Sequence, residues 1–329
     1  MKKFILYVLV ILFCSCKTIN NAQQYYENMN IINYGNNTAY EFKNENSDKL
    51  VIFIDGTSWY SVLGWSESGT WTSLGTGAFI LDIFKDTANV MLPEKLNMQI
   101  GKFYQYNPEM RRNYTLENLV QAYSFVINSY LNADDFSSVM IIGHSEGASL
   151  LPLIYNKIIN KDKITGMIAI SYGGLSVYEQ VKILANTGLY LPDYYREACR
   201  NIDELRKEIE LYPDSLGEIM GYTYRWWNSF IDYRPYDYYV NIDVPVLFIH
   251  GRQDIMVPVE STEYIQANLS GKPFNYKYIT NADHTFNSEK SINELRTIIS
   301  DWYNERHKQN VQVRLQAEIK IDFNLDIIP

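Results

Sequence analysis

Residues 139–149 read VMIIGHSEGAS, four apolar residues running into a Gly-His-Ser-Glu-Gly pentapeptide. A short apolar run of this kind suits a strand buried on both faces of a parallel sheet. The stretch that follows, ASLLPLIYNKIIN, is helical in character and carries Pro152 near its start. Strand, sharp turn and helix are the context in which a serine oxygen projects above a sheet, and glycines two before and two after it relieve the crowding. Gly143, Ser145 and Gly147 stand at that spacing. Ser145 is therefore a candidate nucleophile.

The same rhythm extends outward. KLVIFIDG (49–56) is a second continuous apolar run, and ANVMLP (88–93), ITGMIAISYGG (164–174), VPVLFIHGRQD (244–254) and FNYKYIT (274–280) are further strand candidates. Thr115 and Asn118 open a segment in which Leu116, Leu119, Val120, Tyr123, Val126, Ile127 and Tyr130 recur at helical spacing. Helices are expected after Pro258 and over about 288–305. Strands separated by helices imply a mostly parallel sheet with helices on both faces. Residues 175–240 lack a strand rhythm and read as an inserted helical cap, with the aromatic run YTYRWWNSFIDYRPYDYY inside it. SWYSVLGWSESGTWTSLGTG (58–77) reads as a long loop, a length uncommon without a function. In VQVRLQAEIKIDFNLDI (311–327) apolar and polar residues alternate, a strand signal in the tail 306–329.

The chain has 329 residues, 47% apolar and 15% aromatic, enough for a sizeable core and too little charge for a disordered protein. The net charge of -9 disfavours nucleic acid as a partner, since such a surface must displace counterions. Lys2 and Lys3 precede the apolar run FILYVLVILF (4–13), too short to span a bilayer. Ser15-Cys16 follows, so the segment resembles a bacterial lipoprotein signal. That resemblance implies cleavage after residue 15, lipid on Cys16, and a periplasmic or cell-surface protein held to its membrane by the lipid; within 16–48 the stretch rich in Asn, Gln and Tyr reads as a tether followed by one or two early strands. Cys199 would then be the one remaining cysteine and no intramolecular disulfide could form. No Cys/His cluster has zinc spacing, and no metal or cofactor is expected.

A serine hydroxyl needs a base, an acid to orient that base, and donors for the developing oxyanion. Four histidines are present. His144 is inside the pentapeptide and reads as packing, His250 ends a strand, and His307 lies beyond the last core helix. His284, in NADHTF, follows a strand and precedes a helix, the place for a loop base. Among the acids, Asp254 in LFIHGRQDIMVP lies after a strand and between serine and histidine in sequence. Asp243 lies before that strand, and Asp283 is too close to His284 to reach back to its ring.

With GHSEG, HGRQDIMVP and ADHTF in the order Ser, Asp, His, residues 49–305 resemble the α/β-hydrolase superfamily. The resemblance implies a triad of Ser145, Asp254 and His284, and an oxyanion hole formed by the N–H of Glu146 and one N–H from the loop FIDGTSW, from Thr57 or Ser58. Asp55 stands in that loop where many members have histidine. The implied reaction is acyl transfer from a carboxylic ester to water. A peptidase on short peptides, similar to prolyl oligopeptidases, is the alternative, with Glu208 and Glu210 as an acidic pair to read an amino terminus. A lipoprotein that only binds a ligand on a hydrolase fold is a third reading. Trp59, Trp65, Trp71, Trp226 and Trp227 are candidates either to line an acyl pocket or to pack cap against core. Arg111 and Arg112 are expected in solvent.

Overall fold

The apolar runs become strands because both faces of the sheet are covered. A computed structural model describes residues 29–325 apart from 59, 68–69, 75, 99–106, 188–195, 197–198 and 200. The stretch expected to be a signal, and Cys16 after it, lie outside the described residues, as does Trp59. The strands of the amino-terminal half are β1 (Asn30–Tyr34), β2 (Asn37–Phe42), β3 (Lys49–Ile54), β4 (Gly64–Glu67), β5 (Thr70–Leu74), β6 (Asn89–Pro93) and β7 (Ser138–His144). Those after it are β8 (Ile164–Ile170), β9 (Glu218–Ile219), β10 (Tyr222–Thr223), β11 (Val246–Gly251) and β12 (Phe274–Ile279). One eight-stranded sheet runs β1-β2-β6-β3-β7-β8-β11-β12. From β6 to β12 every pairing is parallel, and β1 and β2 add an antiparallel edge.

Successive residues of a strand point to opposite faces. Leu50, Ile52, Ile54, Val139 and Ile141 enter one core, while Val51, Phe53, Met140 and Ile142 enter the other. That is why these strands read as unbroken apolar runs. Each such side chain taken out of water contributes roughly 1.5–3 kcal/mol.

The helices are α1 (Thr76–Phe84), α2 (Pro108–Asn113), α3 (Leu116–Ala133), α4 (Glu146–Lys157), α5 (Val177–Asn186), α6 (Ile202–Leu211), α7 (Tyr224–Phe230), α8 (Tyr236–Tyr239), α9 (Glu260–Asn268) and α10 (Glu289–Leu325). The first core is closed by α3 and α4, through residues such as Val120, Ile127, Leu150 and Ile154. The second is closed by α1 and α10, through Ile80, Phe84, Leu295 and Trp302. Thr115 caps α3 by accepting from the Asn118 N–H. Between β8 and β11 lie α5 to α8 and the small β9–β10 hairpin. They pack on the α3–α4 side: Tyr233 donates to Ser149 O at 2.7 Å and Tyr239 to Ala148 O at 3.3 Å.

Two sequence expectations are corrected. Residues 58–77 are not one irregular loop. They contain the antiparallel pair β4–β5, in register Gly64↔Leu74 and Glu67↔Thr70. Trp and Thr favour strands, and here that preference outweighs the Gly and Ser around them. The alternating tail is not a strand either, since α10 continues through it to Leu325. Extending a helix that is already nucleated adds one hydrogen bond per residue fixed, whereas a strand needs a partner. The alternation therefore says nothing decisive at the end of a long helix.

The carboxyl ends of the parallel strands come to one edge. Ile54 of β3 pairs with Gly143 of β7, and His144 with Ile170 of β8. This edge is where open parallel sheets bind ligands.

Candidate active site

Ser145 leaves β7 and caps α4 with φ 53° and ψ -122°, in the φ range that favours glycine. Such a conformation costs about 1–3 kcal/mol and persists where its surroundings enforce it. The glycines are needed because backbones meet. A Cβ on Gly147 would lie 2.2 Å from Ile54 O, and one on Gly143 would lie 2.6 Å from Gly147 O. The Ser145 N–H is fixed by Ile170 O at 2.8 Å.

Two loops, after β11 and β12, bring the predicted partners to this serine. His284 Nε2 lies 2.9 Å from Ser145 Oγ, and His284 Nδ1 lies 2.7 Å from Asp254 Oδ2. Asp254 is fully buried, and its Oδ1 accepts the N–H groups of Met256 and Val257 at 2.8 and 2.9 Å. Its acceptor-only carboxylate makes Nδ1 the protonated nitrogen of His284, so Nε2 presents its lone pair to the serine hydroxyl. Burial acts to raise the Asp254 pKa. The charge of His284 and the hydrogen bonds from His250 and His284 outweigh it and hold the carboxyl well below the usual range. Asp254 therefore stays ionised beside the His284 ring.

The other histidines have defined places. His250 is buried, with Nε2 at 3.2 Å from Asp254 Oδ2 and 3.0 Å from Val257 O, and Nδ1 at 2.7 Å from Thr262 Oγ1. It supports the Asp254 loop. His144 does more than pack. Its Nε2 donates to His284 O at 3.1 Å, and Ser171 Oγ donates to the same carbonyl at 2.9 Å. Burial, and next the charge of His284, push the His144 pKa down to about 4, so it is a neutral donor at neutral pH. His307 is at the opposite end of β7, 3.3 Å from Ser138 Oγ. Asp243 accepts from Tyr155 and Asp283 from Thr285 and Asn287, so neither serves His284.

Two groups of buried charge flank the elbow, and sequence reasoning missed both. Glu146 is buried, and its carboxylate accepts from Tyr114 Oη at 2.6 Å and Trp226 Nε1 at 3.1 Å. Burial raises its pKa. Trp226 also stacks on Tyr222 and Phe230, with ring centroids 4.3 and 4.8 Å away. Trp226 thus ties α7 to the first turn of α4, and Trp227 donates to Ile219 O at 3.0 Å. Both indoles pack the inserted helices in place. The side chains of Trp65 and Trp71 lie outside the described residues.

The second group surrounds the loop after β3. Asp55, Glu94 and Lys95 are all buried. Asp55 accepts from the Gly56 N–H at 2.8 Å, from Ser58 Oγ at 3.1 Å and from Thr76 Oγ1. Lys95 Nζ donates to Ser58 Oγ at 2.9 Å and forms an ion pair with Asp55 at 3.4 Å. Glu94 Oε1 accepts the Val62 N–H at 2.7 Å, and burial pushes its pKa up to about 7. These contacts place Ser58 with its side chain turned away into the cluster. Thr57 is the residue between it and Gly56, which passes directly over Ser145.

Of the remaining candidates, Glu208 accepts from Tyr224 Oη at 2.6 Å and Glu210 pairs with Arg206 at 3.8 Å, both on the exposed face of α6. Arg111 pairs with Glu218 at 2.8 Å, joining α2 to β9, and Arg112 is exposed. Cys199 is buried. Among the described residues, no three His, Cys, Asp or Glu side chains are grouped to hold a metal ion.

A family model for the prolyl oligopeptidase family, peptidase family S9, matches residues 206–310, the part that holds Asp254 and His284 but not Ser145. A search of curated proteins gave no match. Among solved structures the chain is similar to Est1E from Butyrivibrio proteoclasticus with ferulic acid bound, at 18% identity and TM-score 0.56, over 85% of this chain and 99% of that one. It is similar to the Pyrococcus furiosus esterase Pf2001 at 16% identity and TM-score 0.51, over 84% and 90%. It is similar to the Pyrococcus horikoshii acylaminoacyl peptidase at 14% identity and TM-score 0.55, over 87% of this chain and 43% of that one. The chain has the α/β-hydrolase fold, and the carboxyl edge of its sheet carries a hydrogen-bonded row of Ser145, His284 and Asp254.

Proposed function

We propose that the chain is a serine hydrolase that transfers an acyl group from a carboxylic ester to water through an acyl-enzyme on Ser145. The observation that carries this is the continuous Ser145–His284–Asp254 row, with both contacts within hydrogen-bond reach. His284 Nε2 takes the Ser145 proton as Oγ attacks the ester carbonyl. The N–H groups of Glu146 and Thr57 hold the oxyanion. The Glu146 N–H is the first of α4 and has no carbonyl within its own helix, while the Gly56 N–H is already committed to Asp55. The imidazolium then passes its proton to the departing alkoxide. Water attacks the acyl-enzyme with His284 again as base, and the acid leaves. A module that only binds a ligand gains nothing from such an alignment.

Two observations favour an ester. The esterases above are matched over nearly their whole length, whereas the peptidase is matched over less than half of its own. Glu208 and Glu210, the acidic pair considered for an amino terminus, are engaged on a solvent face. The peptidase family match over 206–310 is what favours a peptide bond as the second reading. The test is a fluorophosphonate probe on the purified chain, with the adduct mapped by peptide mass. The adduct is expected on Ser145, and an unmodified Ser145 overturns the proposal. A panel of p-nitrophenyl esters and aminoacyl-anilides then decides the bond, with ester turnover expected to dominate.

Export with lipid on Cys16 belongs to the same proposal and is supported by the amino-terminal sequence. Metabolic labelling with an alkynyl fatty acid is expected in the wild type and absent in Cys16→Ala. Equal labelling of the two removes the lipid from the reading.

A further inference from the structure

We propose that Lys95 is a positioning residue for the oxyanion hole, and that it acts through Ser58 and Asp55. The inference rests on the serine-hydrolase reading above.

Lys95 follows β6, the strand next to β3, so its side chain crosses from one strand end to the loop of the neighbour. Only 1% of the residue is exposed. A buried ammonium is costly unless it is paired and hydrogen-bonded, so its surroundings are informative. Among the described residues its hydrogen-bond and ion-pair partners belong to the loop after β3, and its charge also acts on the buried Glu94 and Glu146. Lys95 Nζ donates to Ser58 Oγ at 2.9 Å and pairs with Asp55 Oδ2 at 3.4 Å. Ser58 has one hydroxyl proton and two acceptors near it, Asp55 Oδ2 at 3.1 Å and Tyr60 O at 2.9 Å. Because the ammonium supplies the proton on the Lys95–Ser58 contact, the Ser58 proton is free to fasten one of them. Asp55 in turn fastens the Gly56 N–H and Thr76 at the start of α1. One amine therefore fixes the loop on either side of Thr57.

The other side of the loop has no slack. A Cβ on Gly56 would lie 2.8 Å from Ser145 Cβ and 3.0 Å from His144 O. The chain is pressed on the nucleophile from within and held by Lys95 from without. A donor that meets developing charge must be in place beforehand, because reorganisation during the reaction forfeits its value. Lys95 thus bears on the transition state far more than on ground-state binding. It also accounts for Asp55, which departs from the family's histidine: the aspartate is the anchor that the buried ammonium needs.

The experiment uses the full chain. Lys95→Met keeps length and apolar bulk and removes the charge. Its kcat is expected to fall about 10²-fold, the cost of a misplaced or missing oxyanion donor, with KM changed less than about threefold. The Ki of a trifluoromethyl ketone bearing the same acyl chain should rise by the factor by which kcat/KM falls, since that inhibitor carries the oxyanion. Ser58→Ala, which keeps the ion pair, is expected to lose kcat about tenfold with KM unchanged, and it carries the test if Lys95→Met does not fold. A lower melting temperature with kcat and ketone Ki both unchanged makes Lys95 merely structural and overturns the proposal. A wild type that neither turns over an ester nor takes the fluorophosphonate overturns the serine-hydrolase reading, and this assignment with it. A wild type that labels, beside variants that label at its rate and bind the ketone equally, removes only Lys95.

Discussion

Asp254→Asn is expected to lower kcat about 10⁴-fold with KM little changed, the cost of the wrong histidine tautomer in a serine triad. The site itself dictates which way the amide faces. Asp254 Oδ1 accepts two main-chain N–H groups, from Met256 and Val257. An asparagine must keep its carbonyl oxygen there, because an NH2 facing two N–H groups would leave all of them unpaired. Its NH2 then takes the place of Oδ2, 2.7 Å from His284 Nδ1. That nitrogen must accept, so the proton moves to Nε2 and points at Ser145. The serine loses its base while every heavy atom stays in place. The same NH2 would face His250 Nε2, which lies 3.2 Å from Oδ2 and already donates to Val257 O, so some loss of stability should accompany the loss of rate. Steady-state kinetics on one p-nitrophenyl ester check the prediction. A kcat reduced less than tenfold would show that Asp254 does not set the tautomer.

The parts of the site that can be read in the sequence share one property: each is tied to a local pattern. Ser145 stands in a strand–turn–helix context, and Asp254 and His284 each follow an apolar strand, so order along the chain singles out three candidates that the fold brings into contact. The parts that cannot be read join residues far apart. Lys95 and Asp55 are neighbours only because β6 lies beside β3, and no pattern around KLN at 95–97 marks a buried amine. For Glu146 the sequence offers only a backbone N–H. Its carboxylate is buried because Trp226, eighty residues later in the chain, closes over it. The indole is apolar enough to seem like lining and polar enough to need an acceptor. His144 falls between these cases. Its position in the elbow was plain, but its bond to the His284 carbonyl depends on two loops meeting. The strand readings failed where a pattern of period two had another solution, in α10, or where strand formers were diluted by glycine and serine, in β4 and β5.

Glu146→Ala is expected to lower the stability to unfolding by about 3–5 kcal/mol. The change leaves the buried Tyr114 hydroxyl and Trp226 Nε1–H without their acceptor, at about 1–3 kcal/mol each, and adds a cavity. Glu146→Gln should cost about 1 kcal/mol or less near neutral pH, because its oxygen can accept from Trp226 while its NH2 donates to a reoriented Tyr114 hydroxyl. The pair separates polar pairing from charge, and pH separates them further. Burial raises the Glu146 pKa in the folded chain. Below the unfolded value of about 4.3 both states are protonated and the favourable neutral form costs nothing. As pH rises, the unfolded chain releases the proton first, so the unfolded state binds fewer protons and the stability of the native state falls. That fall continues up to the folded pKa and then stops. Glu94, with its pKa pushed up to about 7, adds a fall of the same sign between about 4.3 and 7 in both proteins. Between pH 4 and pH 8 wild type should therefore lose stability relative to Glu146→Gln, the fall from Glu94 and the opposite-signed rise from His144, whose pKa is pushed down to about 4, being common to both. Urea unfolding followed by tryptophan fluorescence at the two pH values measures both effects. Equal stability of the alanine and glutamine variants would mean that Tyr114 and Trp226 find other acceptors. An unchanged pH slope in Glu146→Gln would mean that this carboxyl is solvated and does not tie the inserted helices to the elbow.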